Sequence, residues 1–201
     1  MLISDDGGSS WRAAAPSWRK MDEAQMAQLP NGSVLLMMRH RAEARQGKAV
    51  AISHDGGESW GDLGFEPQLK SPVCQASLVS IPPRPIAPSL RATFTPRGTA
   101  VPVGAAGAAG AAGAAAAGVL FYSGPSSASA REALVVRRSV DGGATWGATR
   151  LVDPGPSGYS CLVAPLPLEI GCDGASGGAC GGVLYEADNL VIRFARFPLV
   201  F

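Results

Sequence analysis

Tyr159 is the residue whose surroundings first suggest chemistry in this sequence. It stands between the approach P-G-P-S-G at residues 154–158 and an apolar run from Leu162 to Leu168. Glycine and proline favour a turn and the apolar run favours a strand, so we predict that Tyr159 lies at a loop-to-strand junction, presented to a cleft. A phenol is a weak nucleophile at its ordinary pKa and needs a neighbouring base. The alternative is a tyrosine that half-buries its ring and leaves its hydroxyl in water.

Four charged residues stand near the ends of predicted strands. Glu23 and Arg39 lie on the two sides of a predicted hairpin, whose strands meet at the P-N-G turn of residues 30–32. Arg131 precedes the apolar run A-L-V-V, and Glu186 follows the run G-V-L-Y. Arginine never deprotonates in proteins and binds carboxylates through two parallel hydrogen bonds. Taken singly, Glu23 fits a solvated carboxylate at a strand end better than a functional role, and Arg39 fits a snorkelling cation better; together, at this spacing on one hairpin, the two favour a functional role.

An internal repeat indicates the elements that position these residues. The pattern S-x-D-G-G-x-[ST]-W occurs three times, at residues 4–11, 53–60 and 139–146. Asp-Gly supplies the positive φ of a tight hairpin turn, the serine and aspartate can bond turn backbone groups, and the tryptophan can fold over the turn. The pattern is the Asp-box motif of sialidase β-propellers and of some other β-propellers. It is structural, so its aspartates are not candidate catalytic residues.

Five further stretches resemble the exo-α-sialidase (neuraminidase) family. The stretch P-S-G-Y-S-C-L around Tyr159 resembles that around the family's tyrosine nucleophile. The segment from Glu23 to Arg39 fits the consensus E-x-Q-x-x-x-L-x-[DN]-G-[ST]-[LV]-x-x-x-x-R. The other three are P-V-C-Q-A-S, the segment R-E-A-L-V-V-R-R-S that leads into the third Asp box, and G-V-L-Y-E.

This resemblance implies a catalytic pair. In the family the tyrosine attacks the sugar and a glutamate activates it as general base, which assigns these roles to Tyr159 and Glu23. Sialic acid carries a carboxylate on its anomeric carbon, which would repel a carboxylate nucleophile. Sialidases are accordingly an exception to the two-carboxylate pattern of glycosidases.

The resemblance also implies residues that bind the substrate. Arg39 and Arg131 match the second and third arginines of a cluster that grips the substrate carboxylate. Glu186 matches the glutamate that orients the first arginine of that cluster. Gln75 is expected to line the sugar site, although a structural hydrogen bond fits this residue equally well. The resemblance implies neither a metal ligand nor a cofactor.

Two functional parts of the family pattern do not occur in this sequence. The first arginine of the cluster lies in an R-[IL]-P motif, and the acid/base aspartate follows it on a loop. We therefore expect an exo-α-sialidase homologue that retains configuration at the anomeric carbon, but whose 201 residues are incomplete and weakly active alone. The alternative is a non-catalytic propeller that binds sialosides or other proteins.

The fold implied is all-β: part of a six-bladed β-propeller of the sialidase type, with four-stranded antiparallel blades and Asp-box turns. Residues 1–201 are expected to form one incomplete domain. A Pro-rich and Gly/Ala-rich insertion at 82–118 interrupts it, and its composition predicts a flexible surface segment without function.

Composition narrows the range of partners. Lysine and arginine number 17 against 16 acidic residues, so a net charge of +1 gives no indication of nucleic-acid binding. No apolar stretch approaches the roughly 20 residues of a membrane-spanning helix. The expected partners are sialylated glycoproteins, glycolipids or oligosaccharides. Cys172 and Cys180 flank a Gly-rich loop and can pair in an oxidising compartment, but free thiols are equally compatible. The sequence leaves a lysosomal, secreted or cytoplasmic location open.

Overall fold

A computed structural model describes residues 1–14, 18, 20–41, 47–82, 118–166, 172, 179–188 and 191–201. Every regular element in these ranges is a β-strand, which confirms the predicted all-β class. The strands are β1 (Leu2–Ile3), β2 (Arg12–Ala13), β3 (Met21–Gln28), β4 (Val34–His40), β5 (Lys48–Ser53), β6 (Gly64–Glu66), β7 (Ser77–Ile81), β8 (Val119–Pro125), β9 (Glu132–Ser139), β10 (Ala148–Val163), β11 (Cys180–Ala187) and β12 (Val191–Pro198). The predicted insertion at 82–118 lies outside the described residues, apart from its two ends.

The strands form antiparallel blades in chain order. β1 and β2 make a two-stranded hairpin, and β3 to β6 make a four-stranded sheet. The last sheet runs β7-β8-β9-β10-β11-β12 and consists of two blades that share β10. Residues 148–156 of β10 pair with β9, whereas residues 157–163 pair with β11. The described blades therefore form part of a β-propeller, as the sequence predicts.

The Gly/Pro-rich approach to Tyr159 is not the turn that we predict from the sequence. Residues 154–158 are extended and belong to β10, which continues through Tyr159 to Val163. The register of β10 is irregular on both sides of this stretch, between Asp153 and Pro156 and between Ser157 and Ser160. Proline is tolerated where a strand is not donating to a ladder, and here the strand is changing partners. Tyr159 therefore lies within a strand, just past the crossing from one blade to the next.

Three apolar cores hold the blades face to face. In β8, the side chains of Leu120 and Tyr122 pack toward the β3–β6 sheet, whereas Phe121 packs toward β11 and β12. In β4, alternate side chains likewise enter two cores, one of which packs against residues near the β1–β2 hairpin. Strands that are buried on both faces have nearly continuous apolar runs, as V-L-F-Y and V-L-L-M-M do here. Blade-to-blade packing thus fixes the relative positions of the strands that carry the site.

The three Asp boxes form the turns between β1 and β2, β5 and β6, and β9 and β10. In the third box, Asp141 accepts hydrogen bonds from the Ser139 hydroxyl and from the backbone and hydroxyl of Thr145, at 2.5–2.9 Å. These bonds lower the pKa of the Asp141 carboxyl. The two glycines of the box adopt φ values of 74° and 94°, which favour glycine. The box closes the end of β9 opposite Arg131.

Cys172 and Cys180 form a disulfide bond, which decides between the two alternatives left open by the sequence. Cys74 is a buried free thiol, and Cys161 is an exposed one.

The same tryptophan has different surroundings in different boxes, which leads to a stability prediction. Trp146 is 2% exposed and packs edge-on against Tyr122, whereas Trp11 is 62% exposed. Trp146→Ala is expected to lower the free energy of unfolding by about 3–5 kcal/mol. Trp11→Ala should lower the free energy of unfolding by less than about 1 kcal/mol, because most of the Trp11 side chain is already exposed to water in the folded chain. Urea unfolding of both variants measures this, and equal losses would contradict the packing described.

Candidate active site

Glu23 reaches the site through a β-bulge in β3. The register with β4 shifts between Asp22 and Ala24, and Glu23 adopts a φ of 40°. A bulge leaves one residue unpaired and changes the direction of its side chain, and positive φ in a non-glycine residue is often found at functional sites. The strand thereby presents the Glu23 carboxylate toward the neighbouring blade that carries Tyr159.

Glu23, Arg39 and Tyr159 form a closed set of hydrogen bonds. The Tyr159 hydroxyl donates a hydrogen bond to Oε1 of Glu23. One terminal nitrogen of Arg39 donates to Oε2 of Glu23 at 2.5 Å and to the Tyr159 hydroxyl oxygen at 3.0 Å. The side chains of Arg39 and Glu23 are 14% and 27% exposed, so their ion pair is partly shielded from water. These three groups come from β3, β4 and β10.

The contacts determine where the proton rests. The hydrogen bond to Glu23 is the main cause that raises the pKa of Tyr159, and burial adds to it. Burial alone would raise the pKa of Glu23, but the hydrogen bonds from Tyr159 and Arg39 together lower it below its ordinary value. The bond to Glu23 correspondingly raises the pKa of Arg39. At neutral pH the site therefore contains a neutral phenol beside a carboxylate and a guanidinium.

Arg131 lies over the ring of Tyr159, with its guanidinium carbon 5.4 Å from the ring centroid. Its guanidinium also donates to the carbonyl oxygen of Val73 at 3.1 Å, and its own carbonyl accepts from Ser157 N at 2.8 Å. Arg131 is exposed, and its side chain approaches the ring face instead of the phenol oxygen. Arg39 thus contacts the hydroxyl oxygen of Tyr159, whereas Arg131 contacts the face of its ring.

Glu186 and Gln75 contact the backbone around Tyr159. Oε2 of Glu186 accepts from the Tyr159 backbone N–H at 3.0 Å, and a side chain at Gly158 would collide with that carboxylate. The Gln75 side chain exchanges two hydrogen bonds with the backbone of Ser160, each 3.0 Å long. Both the amide nitrogen and the amide oxygen of Gln75 therefore have backbone partners, which corresponds to the structural hydrogen bond that was one of the two alternatives from the sequence.

Two cavities open beside Tyr159. One has a volume of 320 Å³ and is lined by Tyr159, Glu186, Gln75 and several mostly apolar side chains of β10 to β12. The other, of 190 Å³, is lined by Arg131, Glu186 and the backbone before Tyr159. The described residues contain no cluster of histidine, cysteine, aspartate and glutamate that could hold a metal ion. The arrangement suits an anionic ligand next to a phenol and its base.

Two charged residues of the site do not follow from the sequence. Asp22 lies 3.6 Å from Arg39 and also pairs with Arg41 at 2.6 Å. Lys48 is 3% exposed, and its amine donates to the carbonyl oxygen of Cys74 at 2.6 Å. A lysine at the head of the apolar run A-V-A-I could have been noticed as a cation that enters the core, but the segment also fits a snorkelling side chain.

Comparisons with known proteins agree with this description. The family model of the BNR repeat-like domain matches residues 1–165. A sialidase of Micromonospora viridifaciens is 33% identical over 198 residues, covering 98% of this chain and 25% of that protein. A sialidase of Bacteroides fragilis is 29% identical over 167 residues, covering 81% of this chain and 25% of that protein. The chain thus spans about a quarter of the length of the curated relatives it matches.

Solved structures show the same fold. A Hadza microbial sialidase superposes with a TM-score of 0.69 and 26% identity, over 98% of this chain and 31% of that chain. The K499G mutant of the NanB sialidase of Streptococcus pneumoniae superposes with a TM-score of 0.67 and 18% identity. The match covers 98% of this chain and 27% of that chain. At that identity the second likeness shows only the fold. Among the described residues there is no helix whose length and hydropathy would let it cross a membrane.

The burial of Lys48 leads to a prediction about pH. The pKa of Lys48 is lowered from 10.5 to about 8, chiefly by burial. The nearby Cys74 and Glu23 raise this pKa in part, and the positive charge of Arg39 lowers it. Between these two values the unfolded chain holds a proton that the folded chain has released, so stability due to Lys48 rises with pH. Relative to Lys48→Met, the wild type should gain about 1.5 kcal/mol between about pH 8 and about pH 9.5.

Denaturant unfolding at several pH values measures this gain. The exposed Lys70→Met variant is the control, and its difference from the wild type should stay nearly constant over the same interval. A Lys48→Met difference that is equally constant would show that the amine is solvated.

Proposed function

The chain belongs to the BNR repeat-like, Asp-box family of the exo-α-sialidases, and from this membership we propose that it takes part in the release of terminal sialic acid from glycoconjugates, with Tyr159 as the nucleophile. Glu23 is the general base, and Arg39 and Arg131 bind the sialic acid carboxylate. The observation that carries this proposal is the hydrogen bond from the Tyr159 hydroxyl to Glu23, between residues 136 positions apart.

The proposed reaction begins with a neutral tyrosine. The Tyr159 oxygen attacks the anomeric carbon while its proton passes to Glu23, and the bond from that carbon to the leaving oxygen breaks. Arg39 contacts the phenol oxygen at 3.0 Å, so it can stabilise the negative charge that develops there. The oxygen that leaves takes up a proton from solvent, or departs as a phenolate from an aryl sialoside. Water then attacks the same carbon, the bond to Tyr159 breaks, the phenol regains its proton from Glu23, and the proton lost by the water is released to solvent. Two displacements at one carbon retain its configuration.

The arginines suit a substrate that is an anion before and after the reaction. Their charge is permanent, and Arg131 is exposed beside the 190 Å³ cavity, where a carboxylate could displace water from it. Glu186 has a second oxygen that is not used by Tyr159 N–H, and it is proposed to orient a further arginine, as its counterpart does in the family. These placements favour a sialoside or a related acidic sugar over a neutral glycoside.

We also propose that the 201 residues alone turn over natural sialosides weakly. The R-[IL]-P motif and the aspartate that follows it in the family do not occur in this sequence. General acid catalysis typically contributes about 10²–10⁴-fold, so a leaving group that requires protonation should react slowly. A non-catalytic sialoside-binding propeller is the second candidate, and the missing acid is the observation that favours it.

The decisive experiment compares an aryl sialoside, whose leaving group needs little protonation, with sialyl-lactose. The purified chain should hydrolyse the fluorogenic aryl sialoside, and Tyr159→Phe should reduce the rate to that of the protein-free blank. Tyr122→Phe is the matched control, because Tyr122 is 1% exposed and packs in the apolar core between the blades, not in the site. Sialyl-lactose should react about 10²–10⁴-fold more slowly than the aryl substrate.

Other outcomes would contradict separate parts of the proposal. An aryl sialoside rate that is unchanged in Tyr159→Phe would remove the tyrosine from the nucleophile's role. Similar rates for both substrates would show that an acid lies within these residues. Binding of sialyl-lactose without hydrolysis of either substrate would favour the non-catalytic propeller.

A further inference from the structure

Three consecutive residues between β6 and β7 contact three different parts of the fold. The carbonyl of Val73 accepts from Arg131, the carbonyl of Cys74 accepts from the buried Lys48 amine, and the side chain of Gln75 bonds Ser160. The segment itself belongs to no strand. It therefore links the β3–β6 sheet, the residue before β9 and the strand that carries Tyr159.

The contact of Gln75 with Ser160 has the form of strand pairing. In its ladder, Ser160 lies opposite Tyr185 of β11, but the Ser160 N–H and C=O are both bonded to the Gln75 amide, at 3.0 Å each. Two residues on, the N–H of Leu162 donates to the hydroxyl of Ser77, also at 3.0 Å. The side chains of Gln75 and Ser77 thus bond backbone groups of Ser160 and Leu162, on the edge of β10 that does not pair with β11. Both pairs are two residues apart, as in a ladder between neighbouring strands.

The hydrogen bonds of Gln75 help to fix the backbone position of Tyr159. The backbone of Tyr159 is bonded on one side by Glu186, and the next residue is bonded by Gln75 on the other side. Register irregularities occur just before this point, between Ser157 and Ser160, so the β10–β11 ladder alone does not fix the peptide before Ser160. With the backbone fixed, only two side-chain torsions determine where the phenol oxygen lies.

The anchor at the other end of the segment is itself rigid. Lys48 is 3% exposed, and its amine donates to Cys74 at 2.6 Å whether or not it carries the extra proton. Cys74 is 0% exposed, and Ala76, on the other side of Gln75, belongs to the core between the two blades. The Gln75 side chain therefore extends from a backbone that has little freedom to move.

We propose that Gln75 is a positioning residue, which holds the Ser160 peptide so that the Tyr159 hydroxyl stays in hydrogen-bond contact with Glu23. This inference rests on the proposed function of Tyr159 as nucleophile. A displacement of about 1 Å at a reacting atom can cost about 10²-fold in rate, so a side chain that acts through the backbone of Tyr159 and Ser160 can control turnover. The role extends the structural hydrogen bond that the sequence allowed for Gln75, and it differs from the other alternative, a sugar contact.

The test measures the ionisation of Tyr159 and needs no substrate. The chain has three tyrosines, so labelling with [¹³Cζ]tyrosine gives three NMR signals, which Tyr→Phe variants assign. The pKa of Tyr159 is raised chiefly by the bond to Glu23. Gln75→Met keeps the length of the side chain but removes both hydrogen bonds to Ser160, so the pKa of Tyr159 should fall toward its ordinary value.

The matched control is Gln68→Met. Gln68 makes the same pair of bonds to a backbone elsewhere, accepting from Trp146 N at 3.0 Å and donating to the carbonyl of Ala144 at 3.3 Å. Its loss should affect stability but leave the pKa of Tyr159 as in the wild type. An equal pKa in the wild type and Gln75→Met would overturn the proposal.

A second variant covers the case in which Gln75→Met does not fold. Gln75→Asn keeps an amide but shortens it by one methylene, so it cannot make both bonds, and it should lower the pKa of Tyr159 in the same direction. In a chain that hydrolyses the aryl sialoside, kcat should fall at least tenfold in the Gln75 variants, whereas sialic acid affinity should change less than threefold. Weaker affinity with an unchanged Tyr159 pKa would instead identify a sugar contact and overturn the positioning role.

The pKa result and the turnover result are independent. If no sialoside is hydrolysed by the wild type, the proposed function fails, although the Gln75 variants would still report whether this side chain holds Tyr159 against Glu23.

Discussion

The hydrogen bond between Tyr159 and Glu23 joins two blades, and the geometry of the site depends on it. It needs a bulge with positive φ at Glu23, which directs the carboxylate out of its own sheet, and a strand that carries Tyr159 from one blade into the next. Both conditions hold only because the blades pack against β8 on its two faces, with Leu120, Phe121 and Tyr122 at most 1% exposed. The apolar cores thus fix the distance between the Tyr159 hydroxyl and the Glu23 carboxylate.

Electrostatics assigns a resting state to this site. The phenol keeps its proton because its bond to Glu23 raises its pKa, and Glu23 stays ionised because Arg39 and Tyr159 lower its own. In the proposed reaction this proton passes to Glu23 as the phenol oxygen forms its bond to the sugar, and Arg39 is in contact with that oxygen. A buried Lys48 amine behind the site adds positive charge below about pH 8. These charges favour an anionic ligand in the cleft.

The repeating pattern of the sequence predicted the blades and the turns, because each Asp box encodes its own local hydrogen bonds. The approach of Glu23, Arg39 and Tyr159 follows from family motifs and not from periodicity, since no local rule connects residues 136 positions apart. The composition of the Gly/Pro stretch before Tyr159 predicts a turn, but this stretch is part of β10. Proline is compatible both with a turn and with a place where a strand changes its pairing partner, so composition alone does not distinguish them. The bonds of Gln75 depend on a neighbouring strand edge, and a single sequence gives no information about which edges meet.

The coupling between Glu23 and Tyr159 tests the central claim most directly. Glu23→Ala, Tyr159→Phe and the double variant form a thermodynamic cycle, whose corners are the free energies of unfolding in urea. A hydrogen bond to a charged group contributes roughly 1.5–3 kcal/mol, so the account predicts a coupling energy of at least about 1 kcal/mol. Losses that add within about 0.3–0.5 kcal/mol would mean that the two residues do not contact each other, and would contradict the account.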